Sequence, residues 1–567
     1  MNVGIVGSGP ATEAVAAALG NAATVERIEA SDVGDSDFAV VTDTAGAAVF
    51  EEANDVSLDS DTPWLAVELG GVGGHGMCEA AISGFAPETA CYSCLCARIE
   101  ANADAREEPQ EIDDATARFA GARAGYAAQR FVTGEESGLL GGVVEIPHAE
   151  RRLLPVPNCE CADERETELS REYDDRDLET ALARAEVALD ERVGIVHEVG
   201  EAASFPAPYY LARTGETTEF SDASAANEAA GVAADWNAAF MKALGEALER
   251  YSAGVYREDA FIRAPVSEIE NGVPPSSFVV PETVEFDRTE PIRWVEGEHL
   301  ASGDSTSLPA EFVVFPPPER RHGPSITTGL GLGSSGIEAL CSGLYEVIER
   351  DAAMMAWYSS FDPLGLAVEN ETFETLARRA RAEGLRVRTV LVTQNIDVPV
   401  VSVAVGRGEW PQFAVGSAAN FEPPAAAVSA LSEALQNWME LRAMGPDEAN
   451  AAGGAVGRYA ENPGEAASFF DAETRIPAAS VGPDIVPTGE DELDALVEEI
   501  DRAGLDAYGV RLTTRDVERL GFEAVRVLVP AAQPLFTDET YFGERAREVP
   551  CELGFESRLD RAFHPYP

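Results

Sequence analysis

Lysine is nearly missing from this chain. Of 41 basic residues in 567, one is a lysine, Lys242, and the rest are arginine. Long apolar runs are also missing: no stretch of about eighteen apolar residues occurs, so no membrane-spanning helix is expected. The start, M-N-V-G-I-V-G-S-G-P, lacks the basic lead and extended apolar core of a secretion signal. Nothing forms a basic stripe, which argues against a DNA or RNA partner. Cysteine is sparse, eight in all and most of them in the first third. That distribution suits a metal site in a reducing compartment better than a disulfide framework. A cytoplasmic protein is the expectation.

Acid, by contrast, is abundant. There are 100 Asp and Glu against the 41 basic residues, a formal net charge of −59. Aromatics, Val and Leu run through the whole length, so the chain folds and its acid covers the surface. Dense carboxylates of this kind suit a high-salt cytoplasm, where hydration is held and repulsion is screened. The length allows two to four domains with full-sized cores.

Residues 2–6, Gly7-Ser8-Gly9 and Ala11–Leu19 read as strand, glycine turn and helix, the opening of a Rossmann-like unit. Further strands are expected at Phe38–Val41 and Trp64–Val67. The glycine signal is weak alone, because the third glycine and a ribose-binding acid are both missing. The cysteines say more. Cys91-Tyr-Ser-Cys94 and Cys159-Glu-Cys161 are two thiolate pairs from separate loops, a set that fits tetrahedral structural zinc, with Cys96 able to replace one of them. Residues 166–184 are charged and aperiodic and read as an acidic, solvated linker.

Beyond it, two segments one hundred residues apart spell nearly the same phrase. A-L-G-E-A-L-E-R-Y at 243–251 and G-L-Y-E-V-I-E-R-D at 343–351 each set two glutamates three apart, Glu246 with Glu249 and Glu346 with Glu349. An arginine follows each pair at once, Arg250 and Arg350. Ala243, Leu244 and Leu248, and Leu344, Val347 and Ile348, recur at helical spacing, so each pair shares one face of an amphipathic helix. Like charges so placed repel. Two solvated faces balanced by arginine are the simple reading; two converging helices holding Mg²⁺ beside a nucleotide's phosphates are the better one for a repeated phrase. Thr328-Gly-Leu-Gly-Leu-Gly333 reads as an anion-binding glycine loop before the second helix. Near 425–442 a third helix sets Glu433 and Gln436 three apart, Gln436 able to donate and accept toward a nucleotide.

These motifs resemble two known families. G-I-V-G-S-G-P, T-A-C-Y-S-C-L-C-A-R and P-H-A-E-R-R-L-L-P-V-P-N-C-E-C are similar to the ThiF-like domain, related to ubiquitin-activating enzymes, of azoline-forming peptide cyclodehydratases. The two E-x-x-E-R helices, T-T-G-L-G-L-G, E-R-D-A at 349–352 and S-E-A-L-Q at 432–436 resemble a YcaO domain, and with the charge the whole resembles a haloarchaeal fusion of the two. The resemblance implies an α/β ThiF-type domain over 1–165 with its zinc site, and a large α+β YcaO domain over 185–567. It implies that Glu246, Glu249, Glu346 and Glu349 hold Mg²⁺, and that Arg250, Glu338, Arg350, Glu433 and Gln436 serve ATP. The family's Gly-Lys-Gly loop is Gly231-Val-Ala233 in this chain, and Lys242 stands where the family has serine. Lys242 is therefore expected to supply the missing phosphate-facing charge. No winged-helix peptide-recognition domain precedes the first strand, and the adenylating residues of active ThiF relatives are not recognisable, which suggests a scaffold. The end, Phe563-His-Pro-Tyr-Pro567, resembles the family's proline-rich tail without its first proline, and the Pro567 carboxylate becomes a candidate base.

The implied activity is ATP-dependent cyclodehydration of a ribosomally made peptide at Cys, Ser or Thr, giving thiazoline or oxazoline. Thioamide formation from external sulfide uses the same ATP site, and a non-catalytic peptide-binding or assembly partner is the reading from another class. A precursor peptide, a separate leader-recognition protein, a flavin dehydrogenase and a second copy of the chain are the implied partners.

Overall fold

Two units make up the chain. One comprises Met1–Arg165, Val187–Glu198 and Thr214–Ser221, the other Glu166–Glu186, Val199–Arg213 and Asp222–Pro567. The computed structural model describes all residues except 136–137, 162–164 and 453, and only the backbone at 450, 452 and 454–457.

The first unit is built on a seven-stranded sheet. Asn2–Val6 pairs in parallel with Thr24–Arg27 on one side and Phe38–Thr44 on the other, and Phe38–Thr44 pairs in parallel with Trp64–Leu69. Ala80–Phe85, Gly142–Ile146 and Ala149–Arg152 extend it antiparallel. Phe38, Ala39, Val40 and Val41 are all buried, as a continuous apolar strand covered on both faces requires. Gly7 takes φ +103°, and a Cβ there would collide with the Thr42 carbonyl; only glycine fits this first turn. Arg27, at the end of the second strand, donates from Nη1 to Gly7 O at 3.2 Å.

The second unit holds two larger sheets, one of six strands and one of five. Its three principal helices are Trp236–Gly254, Gly336–Trp357 and Pro423–Ala452, the last kinked at Gly445. Each follows a strand: Glu228–Val232, Leu330–Gly333 and Phe413–Ala419. The first two helices start alike and one hundred residues apart. Asp235 accepts from Ala238 N, and Ser335 accepts from Glu338 N, which satisfies amides that no helical carbonyl can reach. Their apolar faces, Leu244 and Leu248 in one, Leu344 and Ile348 in the other, are fully buried.

Two expectations change. The glycine run is not an open loop: Leu330–Gly333 is a strand paired antiparallel with Glu523–Leu528. Its glycines serve close packing, since a Cβ on Gly331 would collide with the Ala339 carbonyl of the following helix. Residues 166–186 are not a free linker either. They include the helix Leu178–Ala185, whose Ala181 and Ala185 are buried, and Arg511 Nη1 donates to Glu166 O at 3.0 Å. So few apolar anchors among so many charges leave no period to read.

Candidate functional site

Three carboxylates, one on each principal helix of the second unit, are held by an amide of that helix's preceding segment. Ala230 N donates to Glu246 Oε2 at 2.7 Å, Gly329 N to Glu346 Oε2 at 3.0 Å, and Ser417 N to Glu433 Oε2 at 2.6 Å. The Ser417 hydroxyl donates to Glu349 Oε1 at 2.6 Å. One strand residue thus binds carboxylates from two helices. Arg350 lies among three of them, 3.9 Å from Glu346, 3.5 Å from Glu349 and 3.8 Å from Glu433. These are ion-pair distances rather than hydrogen bonds, and Arg350 Nη1 has no hydrogen-bond partner among the described residues. Arg250 pairs with Glu246 and donates to Glu228 O at 2.7 Å.

The electrostatics show what this grouping lacks. Burial pushes Glu249 up to about 8, and repulsion from Glu346 and Glu246 adds to it. Burial also pushes Glu349 up to about 8; Arg350 opposes this and Glu433 reinforces it. Burial raises Glu246 and Glu433 too, against the pull of Arg250 and Arg350 respectively. Carboxylates that resist ionisation together are short of positive charge. Added positive charge would let them ionise, and carboxylate oxygens are the donor type that Mg²⁺ takes.

Lys242 is solvent-accessible; the surrounding protein lowers its pKa, and the Glu433 carboxylate works the other way. The helix thereby turns its one ammonium toward the third helix of the group. Two further expected residues have other partners. Glu338 accepts from Ser334 N at 2.8 Å and faces Asp174, Asp175 and Arg176. It lies eight residues, or about 12 Å of helix, before Glu346. Gln436 donates to Glu440 Oε1 at 3.1 Å, and Tyr209 Oη donates to the same oxygen at 2.9 Å. Pro567 is exposed, whereas Tyr566 is buried, receives the Ser402 hydroxyl at 3.1 Å and lies near Glu349 and Arg350.

Arg526 is the residue that sequence reasoning missed. It is 3% exposed and faces Glu346 and Glu249, while burial lowers its pKa to about 10. Nη2 donates to Ile326 O at 2.9 Å, and Nε and Nη1 have no partner among the described residues. The available signal was a lone charge inside the apolar strand E-A-V-R-V-L, residues 523–528.

In the first unit, Cys91, Cys94, Cys159 and Cys161 converge, their sulfurs all within 4.8 Å of one another. The closest separations are 3.7 Å for Cys91–Cys94, 3.6 Å for Cys91–Cys159 and 3.5 Å for Cys94–Cys161. A tetrahedral zinc with sulfurs at about 2.3 Å spaces them about 3.8 Å apart. The set fits zinc, and Cys96 is outside it.

Comparison with known proteins agrees with this geometry. Residues 230–533 match the family model described as YcaO cyclodehydratase, ATP- and Mg²⁺-binding. An uncharacterised protein of Methanothermobacter thermautotrophicus is 28% identical over 336 residues, 56% of this chain and 85% of its own. A heterocyclase solved in complex with substrate and cofactor has a similar fold, with a TM-score of 0.75 at 17% identity over 98% of this chain and 83% of that one. The heterocyclase TruD gives a TM-score of 0.65 at 19% identity over 98% and 82%. No helix among the described residues is long and apolar enough to cross a membrane. With its carboxylate-bearing helices inside a match that spans more than half its length, the chain belongs to the YcaO family.

Proposed function

We propose that this protein is an ATP-dependent cyclodehydratase acting on backbone amides of a ribosomally made peptide at Cys, Ser or Thr. The observation that carries this reading is the meeting of Glu346, Glu349 and Glu433 around Arg350, with Glu249 and Glu246 repelled by Glu346. Phosphoryl transfer asks a protein mainly for positioned charge, and this cluster supplies it. The substrate's side-chain nucleophile attacks the preceding carbonyl carbon and closes the ring as it loses its proton. The former carbonyl oxygen takes the γ-phosphoryl of ATP with release of ADP. That oxygen then departs as phosphate while the amide nitrogen loses its proton and forms the C=N bond. Glu246, Glu249, Glu346 and Glu349 would hold Mg²⁺, which would supply positive charge to the phosphates. Arg350, with Nη1 unpaired, and Lys242 hold the phosphoryl oxygens. Glu338, Arg250, Glu433 and Gln436 frame the nucleotide, and the Pro567 carboxylate is the base offered by the family resemblance.

The first unit, residues 1–165 in the main, acts in this proposal as a ThiF-like scaffold stapled by zinc at Cys91, Cys94, Cys159 and Cys161, in a protein of haloarchaeal type. A leader-recognition protein, a flavin dehydrogenase and a second copy of the chain are its proposed partners. Titration with Mg-ATP at high salt, then mass analysis of a Cys-containing peptide, tests the assignment. Loss of one water from the peptide is expected. Exchange of oxygen for sulfur, or absence of Mg-ATP binding, overturns it.

A further inference from the structure

Beside the carboxylate cluster the second unit contains a pocket that opens to solvent. Its walls are apolar. Phe278 and Phe312 stack with ring centroids 4.0 Å apart and planes 8° apart, and Val279, Leu528, Val529 and Tyr541 continue the lining. Gln533, also on the wall, has both amide hydrogens committed, donating to Pro534 O and Tyr541 O, and its oxygen accepts from Gly543 N. Two guanidiniums close the inner side, Arg350 and Arg526. Both keep unpaired N–H groups among the described residues, Nη1 on Arg350 and Nε and Nη1 on Arg526. Because Arg350 is also within 3.5–3.9 Å of three carboxylates, an occupant of the pocket lies one side chain away from the phosphoryl-transfer site.

We infer that this pocket receives a large apolar side chain of the peptide substrate, next to the amide being activated, with a backbone carbonyl of that peptide accepting from Arg526. The inference rests on the cyclodehydratase reading. An apolar body explains the Phe, Val and Leu walls, and a carbonyl acceptor completes a buried cation that is otherwise costly to leave unpaired. A nucleotide base fits less well, since most of the wall is apolar and its two guanidiniums offer donors but no acceptors.

The test is binding of the fluorescein-labelled peptide Gly-Phe-Cys-Gly and its Gly-Ser-Cys-Gly counterpart to the full-length protein at high salt, with Mg²⁺ and a non-hydrolysable ATP analogue. Burying one aromatic side chain predicts about tenfold or greater preference for the Phe peptide. Equal affinity for the two overturns the inference. Ala532→Phe, which fills the pocket, is expected to abolish the preference and leave Mg-ATP affinity unchanged. Retained preference, or lost Mg-ATP affinity in place of lost preference, overturns the inference, the second result assigning the pocket to the nucleotide. If that variant does not fold, Phe312→Ala is measured with the same criteria. A wild-type protein that prefers the Phe peptide but binds no Mg-ATP defeats the cyclodehydratase reading and leaves the pocket assignment standing.

Discussion

Lys242 places a single compact ammonium on a helix that otherwise presents acid to its neighbours. The surrounding protein lowers its pKa while Glu433 favours its charged form, so a bound phosphate group strengthens that charge. Lys242→Ala is expected to raise the ATP KM about tenfold, the effect of one charge-assisted hydrogen bond, with Lys242→Arg restoring part of it. An unchanged KM in steady-state ATPase assays defeats the assignment. Glu249 makes the opposite prediction for stability. Held neutral up to about pH 8 by burial and by Glu346, it disfavours the folded state as pH rises from the ordinary carboxylate range through 8. Glu249→Gln should therefore raise metal-free stability at pH 8 by at least about 1.4 kcal/mol, the equivalent of one pK unit, while Mg-ATP binding is lost. His564 behaves differently again. It is 1% exposed, donates from Nε2 to Phe536 O at 2.6 Å, and burial lowers its pKa to about 4. A depressed histidine means the unfolded chain binds the proton first, so stability is full above the unfolded value near 6.5 and falls as pH drops toward 4. Denaturant titrations should show about 3 kcal/mol lost over that window, and His564→Gln should flatten it.

At the level of elements, the recurring unit is a strand running into a helix. Gly231 and Gly331, one hundred residues apart, let each strand lie against its helix, where a Cβ would collide with Ala239 O and Ala339 O. Gly331→Ala must separate strand from helix and displace the Gly329 amide from Glu346. A cost of about 1–3 kcal/mol is expected from such overpacking, measured by chemical denaturation. Gly408→Ala, with nothing within 4 Å of the added carbon, is the neutral control; equal losses for the two would refute the packing account. The helices themselves are legible in sequence because caps, period and length all agree. The strand Leu330–Gly333 is not, because L-G-L-G carries no β-branched residue, and its partner is almost two hundred residues away.

For the whole molecule, a net charge of −59 makes self-repulsion a global term. Screening shortens the reach of that repulsion from about 10 Å at 0.1 M salt to about 3 Å at 1 M. The melting temperature should rise continuously with KCl over this range, and a flat calorimetric profile would remove the high-salt reading. Zinc acts on one unit only. Metal analysis should find zinc in the purified chain and none after Cys159→Ser, with a drop in the melting transition that includes the first sheet. Retained zinc in that variant would exclude the four-thiolate set.

Sequence alone determined which residues are paired on a helix face, that two such faces repeat, and that four cysteines come as two pairs. Those features depend on local period and spacing, which a chain carries in one dimension. Only the tertiary structure decided what meets across the gaps: Ser417 binding Glu349 and Glu433 together, Glu338 facing the charged segment at Asp174, Asp175 and Arg176, and Arg526 facing Glu346 and Glu249 with two of its nitrogens lacking a partner among the described residues. The reason is physical. A carboxylate's protonation and an arginine's spare donors are set by neighbours hundreds of residues away, through burial and charge that no local pattern encodes.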